Sequence, residues 1–180
     1  NALAEKEHAL ALAEAQRARS DANFLKAIVA VRDIITGTAL GRDNVPEPLR
    51  RKFSDQAMKF YESLLQEDSP DPSLQYDSAV GYRTIAMLHQ SWGEFEQAEK
   101  CYHKAIAILE RLSSEDPAAQ QYRHQLGYAH LVFSRVLHQA GRSQEARLLV
   151  DRGIKIYLEL LAQTPDNSDY IAQLANFYLD

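Results

Sequence analysis

The chain has a single cysteine, Cys101, so no disulfide can form within it and its redox compartment is left open. It also lacks a long apolar run. The longest uncharged apolar stretch near the start is Ala27 to Val31, flanked by Lys26 and Arg32, against the ~20 residues of a membrane-spanning helix. Positive charge is not in excess. Twenty Lys and Arg face twenty-five Asp and Glu, a formal charge of −5, which excludes a general polyanion binder and, with it, nucleic acid as the expected partner. Glycine is scarce, with seven residues placed mostly at turns, and none forms a phosphate-cradling loop. None of the six histidines lies four residues from another, and Cys101 sits on a different helix from five of them. His103, two residues away, points away from Cys101 on a helix, so no metal site is expected. Cys101 itself lies beside an apolar stripe and reads as a small hydrophobe. Glu67, Asp68 and Asp71 lack the turn glycine and ligand count of a calcium loop, and no general acid–base pair can be assigned. The expectation is a chain with no catalytic residue, metal or cofactor. Asn1-Ala2-Leu3 is neither an initiator methionine nor a signal peptide and the end falls inside a repeat, so the chain reads as a piece of something longer.

What is present is a globular composition, 46% hydrophobic and 25% charged, written with a period. Gly93 and Gly141 are 48 residues apart, each follows a helical apolar stripe, and each is followed five residues later by an alanine, Ala98 or Ala146. The same offset carries Tyr122, Gln125 and Leu126 onto Tyr170, Gln173 and Leu174. A helix pair repeated at fixed spacing cannot bury its apolar face alone and must stack on its neighbours.

Residues 2 to 36 read as one long helix. Its first half carries only Leu3, Leu10 and Leu12 as large apolar residues, without a sustained heptad, and reads as an exposed stalk or a partner-seeking helix. The second half carries Phe24, Ile28, Val31 and Ile35 at helical spacing. After a break at Gly37 to Asn44, Pro46 and Pro48 open a helix with the stripe Leu49, Phe53, Ala57, Phe60 and Leu64, ending near Gln66. Asp71-Pro72 and Asp116-Pro117 carry the acidic cap and first-turn proline of helix starts. Helices are predicted from Ser73 to about Ser91, on to about Leu112, from Pro117 to about Gln139, on to about Leu161, and from near Ser168. Their stripes, Phe95, Ala98, Tyr102, Ala105, Leu109, Leu112 and Ala146, Leu149, Gly153, Ile154, Tyr157, Leu160, keep the three-and-four spacing of a buried helical face. No useful segment alternates with period two, so the fold class is all-α. The division expected is a stalk over residues 1–20, a degenerate first helix pair over 21–72, and repeats over 73–180, two full copies and a partial third.

Tyr82, Ala86, Gly93, Phe95, Ala98, Tyr102 and Ala105 follow the order of the tetratricopeptide repeat (TPR), which this chain resembles. The second copy keeps Gly141, Ala146 and Gly153 but has Ser143 and Val150 where aromatics are common. An earlier copy is suggested by Gln56-Ala57-Met58-Lys59-Phe60-Tyr61 beside Gln97-Ala98-Glu99-Lys100-Cys101-Tyr102. The resemblance implies a right-handed α-solenoid of antiparallel helix pairs, with about two extra turns on each helix relative to the family's usual period of about 34 residues. The front end, residues 18–36 with Ala22-Asn23-Phe24 and Ala27, is similar to the region after the membrane anchor in planctomycete-type bacterial serine/threonine protein kinases with appended repeats. That resemblance implies a kinase domain elsewhere in a parent protein, on either side of a membrane. This chain contains no kinase motif.

A TPR-like register places Val80, Arg83, Met87 and Gln90 of one copy, and Tyr128, Leu131, Arg135 and His138 of the next, on the concave face. Apolar anchors with two arginines suit an extended peptide or partner protein with an acidic feature. The family's chaperone-tail clamp has a lysine and an asparagine where Arg83 and Met87 stand, which argues against that specificity. The functional expectation is a noncatalytic interaction scaffold. The alternative is an oligomerisation element that pairs through the N-terminal helix or the open C-terminal repeat.

Overall fold

The computed structural model describes residues 11–12, 46–66 and 71–179. Of the stalk only Ala11 and Leu12 are described, both helical and exposed; the expectations for its other residues, for Phe24 to Ile35, for the kinase-like front end and for the side chains of Phe53 and Leu64 lie outside that description. Residues 46–66 and 71–179 form six helices, and no described residue is in a strand: α1 Glu47–Gln66, α2 Pro72–Ser91, α3 Phe95–Glu115, α4 Gln120–Gln139, α5 Ser143–Gln163 and α6 Ser168–Leu179. Consecutive helices pack against each other, and α2, α4 and α6 also touch in series. The architecture is an all-α, TPR-like solenoid in which α2–α3 and α4–α5 are complete pairs.

Local chemistry explains the turns. Gly93 and Gly141 have φ of 75° and 77°, the left-handed conformation that glycine adopts without a Cβ penalty. Around them the hydrogen bonds repeat. Glu94 N donates to His89 O at 2.9 Å and Arg142 N to Leu137 O at 2.8 Å, while the glycine N–H groups reach Gln90 O and His138 O. Six-to-one closure of this kind satisfies carbonyls that a helix end would leave orphaned.

Helix starts divide into two kinds. Asp71 accepts from Ser73 N at 2.8 Å and Pro72 opens α2 directly, as an acidic cap before a first-turn proline should. Asp116 repeats the side-chain bond, accepting from Ala118 N at 3.2 Å, but Pro117 does not open a helix. The Asp116 carbonyl accepts from Ala119 N at 3.2 Å, closing a turn, and α4 begins only at Gln120. Thr164-Pro165 makes the same turn, with Asn167 N bonded to Thr164 O, before α6 starts at Ser168. The earliest copy needs a second correction. Helix α1 precedes α3 by 48 residues, not by the 41 that would align Ala57 with Ala98. At an offset of 48, buried Ala57 falls on Ala105, also fully buried.

The core is continuous from Ala57 through Leu149, with Tyr82, Ile85, Tyr102, Leu109 and Phe133 inside it. A second cluster, Leu131, Tyr157, Leu160, Tyr170 and Phe177, binds α6 to α4 and α5. Small residues permit these approaches. A Cβ on Gly153 would fall within contact distance of the Phe177 ring, and one on Gly127 would lie 2.7 Å from the Tyr157 ring.

Candidate partner-binding face

Helices α2, α4 and α6 form one layer of the solenoid, and the candidate residues lie on α2 and α4. At its centre the Arg83 guanidinium sits 4.6 Å from the centroid of the Tyr128 ring, a cation–π geometry that fixes the arginine between two repeats. Burial pushes the Arg83 pKa down, opposed by the surrounding hydroxyls of Tyr128, Tyr102, Tyr76 and Tyr157. Its Nε has no hydrogen-bond partner among the described residues. Tyr76 and Tyr122 pair beside it at 5.6 Å. Val80 and Gln90 are half-buried and Met87 is 39% exposed.

The expected set does not stay together. Gln90 is engaged on both sides, donating from Nε2 to Gln139 Oε1 of the next repeat at 3.1 Å and accepting from Tyr102 Oη of its own repeat at 3.5 Å. Leu131, expected on the face, is fully buried. It belongs to the cluster that seats α6, because an α4 residue on that side meets the next first helix. Arg135 and His138 are carried toward the far end of α4. There they line a groove of about 440 Å³ with Ser134, Gln139, Ser143, Ala146, Arg147 and Val150. The Arg83 and Arg135 charges both reach the Tyr102 hydroxyl electrostatically, though burial dominates and raises its pKa.

Residues that the sequence reading passed over hold the repeats in register. Arg51 of α1 pairs with Glu94 at 2.6 Å and lies 5.4 Å from the Trp92 ring. Forty-eight residues on, Glu99 pairs with Arg142 at 2.6 Å. The two junctions have the same geometry with the charges exchanged. Glu94 also reaches buried His89 at 2.7 Å, and Arg142 also binds Glu145 at 2.6 Å. The Glu145 bonds, followed by those to Glu99, raise the Arg142 pKa, and the Arg142 bonds hold the Glu145 carboxyl low.

On α4, burial pushes His130 down to about 4, assisted by the Arg152 charge. His124, lowered first by burial, accepts a close approach of Tyr157 Oη, which also donates to the His124 carbonyl at 3.1 Å. Among the described residues no cluster of three or more His, Cys, Asp or Glu side chains could hold a metal, and no helix is long and apolar enough to cross a membrane.

The tetratricopeptide repeat family model matches residues 79–119. No curated protein and no solved structure matches the chain. The matched stretch covers most of α2, the Gly93 turn and all of α3, the copy that retains Tyr82, Ala98 and Tyr102 in the core. Residues 79–119 are therefore similar to a tetratricopeptide repeat, and the helices on either side continue their packing.

Proposed function

We propose that this chain is a noncatalytic protein-interaction scaffold whose α2–α4 face takes an extended, carboxylate-bearing peptide, with Arg83 as the central anchor. TPR repeats generally mediate contacts between proteins, which supports the scaffold role. The single observation behind the acidic preference is Arg83 held over Tyr128 with an unsatisfied Nε. A pre-positioned guanidinium loses little side-chain freedom on binding, and partial burial strengthens its bonds to a carboxylate. Val80, Met87 and Tyr128 supply the apolar surface beside it. The similarity of residues 18–36 to planctomycete-type kinases would make this scaffold the regulatory region of a bacterial signalling kinase. That part of the reading rests on those residues alone.

Fluorescence anisotropy with a Glu-rich extended peptide and its Gln counterpart tests the proposal. The acidic peptide should bind, and Arg83→Gln should weaken it about tenfold, the equivalent of ~1.4 kcal/mol. Equal affinity of the two peptides, or no change in Arg83→Gln, overturns it. A glutamine is the suitable replacement, since a glutamate would bury a charge against Tyr128 and confuse binding with stability. Self-association is the second reading, favoured by Ile171, Tyr178 and Leu179 of α6, exposed to 49%, 68% and 84%. Sedimentation across concentration distinguishes it.

A further inference from the structure

Helices α3 and α5 both pack on α4 but not on each other. Between them opens a pocket of about 250 Å³, to which neither α2 nor α6 contributes a lining residue. Helix α4 supplies Leu126 and His130, and α5 supplies Arg152 and Ile156. Glu110 of α3, with Lys155 and Glu159 of α5, completes the lining. The walls and floor thus come from three consecutive helices that are described over their whole lengths.

The preceding repeat shows where the space comes from. At the offset of 48, His130 stands for Tyr82 and Arg152 for Lys104. Lys104 Nζ lies 5.2 Å from the centroid of the fully buried Tyr82 ring. His130 is buried too, at 2% exposure, but an imidazole is smaller than a phenol and leaves room beneath the cation. It makes no hydrogen bond among the described residues, and its Nδ1 is sealed from solvent without a partner. A buried polar group left in that state calls for an explanation, and a missing ligand supplies one. Arg152 is exposed and forms no ion pair among the described residues. Its charge is nevertheless the one that acts on His130, whereas exposed Glu110, Lys155 and Glu159 do not shift it.

We propose that the pocket between α3, α4 and α5 binds a small carboxylate with an apolar body, held by Arg152 and His130. The Arg152 guanidinium and the single ring N–H of neutral His130 donate to the carboxylate, and a charge-assisted bond of this kind is the stronger sort. The apolar body rests on Leu126, which is buried, and Ile156, which is half-buried. Two aliphatic side chains in so confined a space suit a single ring or short chain better than a helix. An anion is preferred to a cation because Arg152 sets the field at the floor. This site is separate from the Arg83 face, and Arg83→Gln leaves it unchanged.

The probe is phenylpropanoate, titrated into the whole chain at neutral pH and followed by amide and histidine-ring NMR shifts. Phenylpropanamide and phenethylamine serve as its neutral and cationic counterparts. Phenylpropanoate should bind saturably, move the His130 ring signal, and bind about fivefold more tightly than phenylpropanamide, as expected for one partly exposed ion pair. Arg152→Gln, at an exposed position, should remove that preference without disturbing the fold. His130→Tyr restores the residue of the preceding repeat, so it should fill the pocket and abolish binding, and the ring signal it lacks identifies His130. Should His130→Tyr not fold, the Arg152→Gln comparison decides alone. The proposal is overturned by the absence of saturable binding, by equal affinity for phenylpropanoate and phenylpropanamide, or by tighter binding of phenethylamine. Binding that persists in folded His130→Tyr, or a preference that survives Arg152→Gln, overturns it as well.

Discussion

Arg142 lies 2.6 Å from Glu99 across a junction between two helix pairs. Arg51 and Glu94 make the same contact one repeat earlier with the charges exchanged. A single reversal at either junction places like charges together, whereas reversing both partners restores attraction. Glu99→Arg alone should therefore lower the melting temperature modestly, and Glu99→Arg with Arg142→Glu should recover most of it. Because Arg142 also holds Glu145, the recovery should be incomplete. A double-mutant cycle followed by thermal melts reads the coupling directly. Additive losses would show that the contact does not couple the repeats.

The two turn alanines should differ in their tolerance of bulk. Ala98 is fully buried between α2, α3 and the next repeat, while Ala146 borders the open groove. Ala98→Leu should cost about 1–3 kcal/mol through overpacking, and Ala146→Leu less than about 1 kcal/mol, because the groove can accept the added methylenes. Urea unfolding measures both. Equal losses would mean that the groove is closed in solution.

Much of this was legible in local signals. Gly93 and Gly141 announced their turns because a left-handed residue at a helix end has few substitutes, and Ala98, Tyr102 and Ala105 announced a buried stripe by spacing alone. The failures have physical reasons as well. Asp-Pro begins a helix at Asp71 but only a turn at Asp116: both side chains accept the N–H two residues on, and the difference lies in the Asp carbonyl, which accepts from Gln75 N four residues on in the first case and from Ala119 N three residues on in the second. Leu131 fell on the wrong side because periodicity identifies a helical face but not the neighbour it meets. The junction ladder was hidden by its own alternation, since a search for similar residues at Arg51, Glu99 and Arg147 finds opposite charges. Its signal was available only by asking which residues complement one another 43 positions apart, Arg51 with Glu94 and Glu99 with Arg142.

Helix α6 depends on one close approach. Phe177 and Tyr170 are its buried anchors, and Phe177 lies against Gly153 where a Cβ has no space. Gly153→Ala should displace Phe177 and loosen α6, with amide exchange over residues 168–179 rising at least tenfold while residues 95–115 stay unchanged. Phe177→Ala should give the same pattern. If Gly153→Ala exchanges as the parent does throughout α6, then Phe177 is not what seats this helix.

Acid should act on the fold through His130. It is 2% exposed, its Nδ1 has no partner among the described residues, and burial with the nearby Arg152 charge lowers it to about 4. Its groove is also lined by Glu110, Lys155 and Glu159, and neither carboxylate offsets the burial of the cationic form. An unfolded histidine titrates near ~6.5, so between that pH and about 4 the unfolded chain binds a proton that the folded chain refuses. The contribution of neutral His130 is thus fully present above pH ~6.5 and is lost as the pH falls toward 4, up to ~3 kcal/mol for a shift of this size. Carboxylates titrate in the lower part of the same window, so the comparison must be with a variant rather than with neutral pH alone. His130→Gln should be less stable than the parent at pH 7.5, yet lose ~2–3 kcal/mol less on moving to pH 4.5 when both are unfolded in urea. Parallel stability curves for the two proteins across that interval would show that His130 takes up its proton as readily in the folded chain as in the unfolded one.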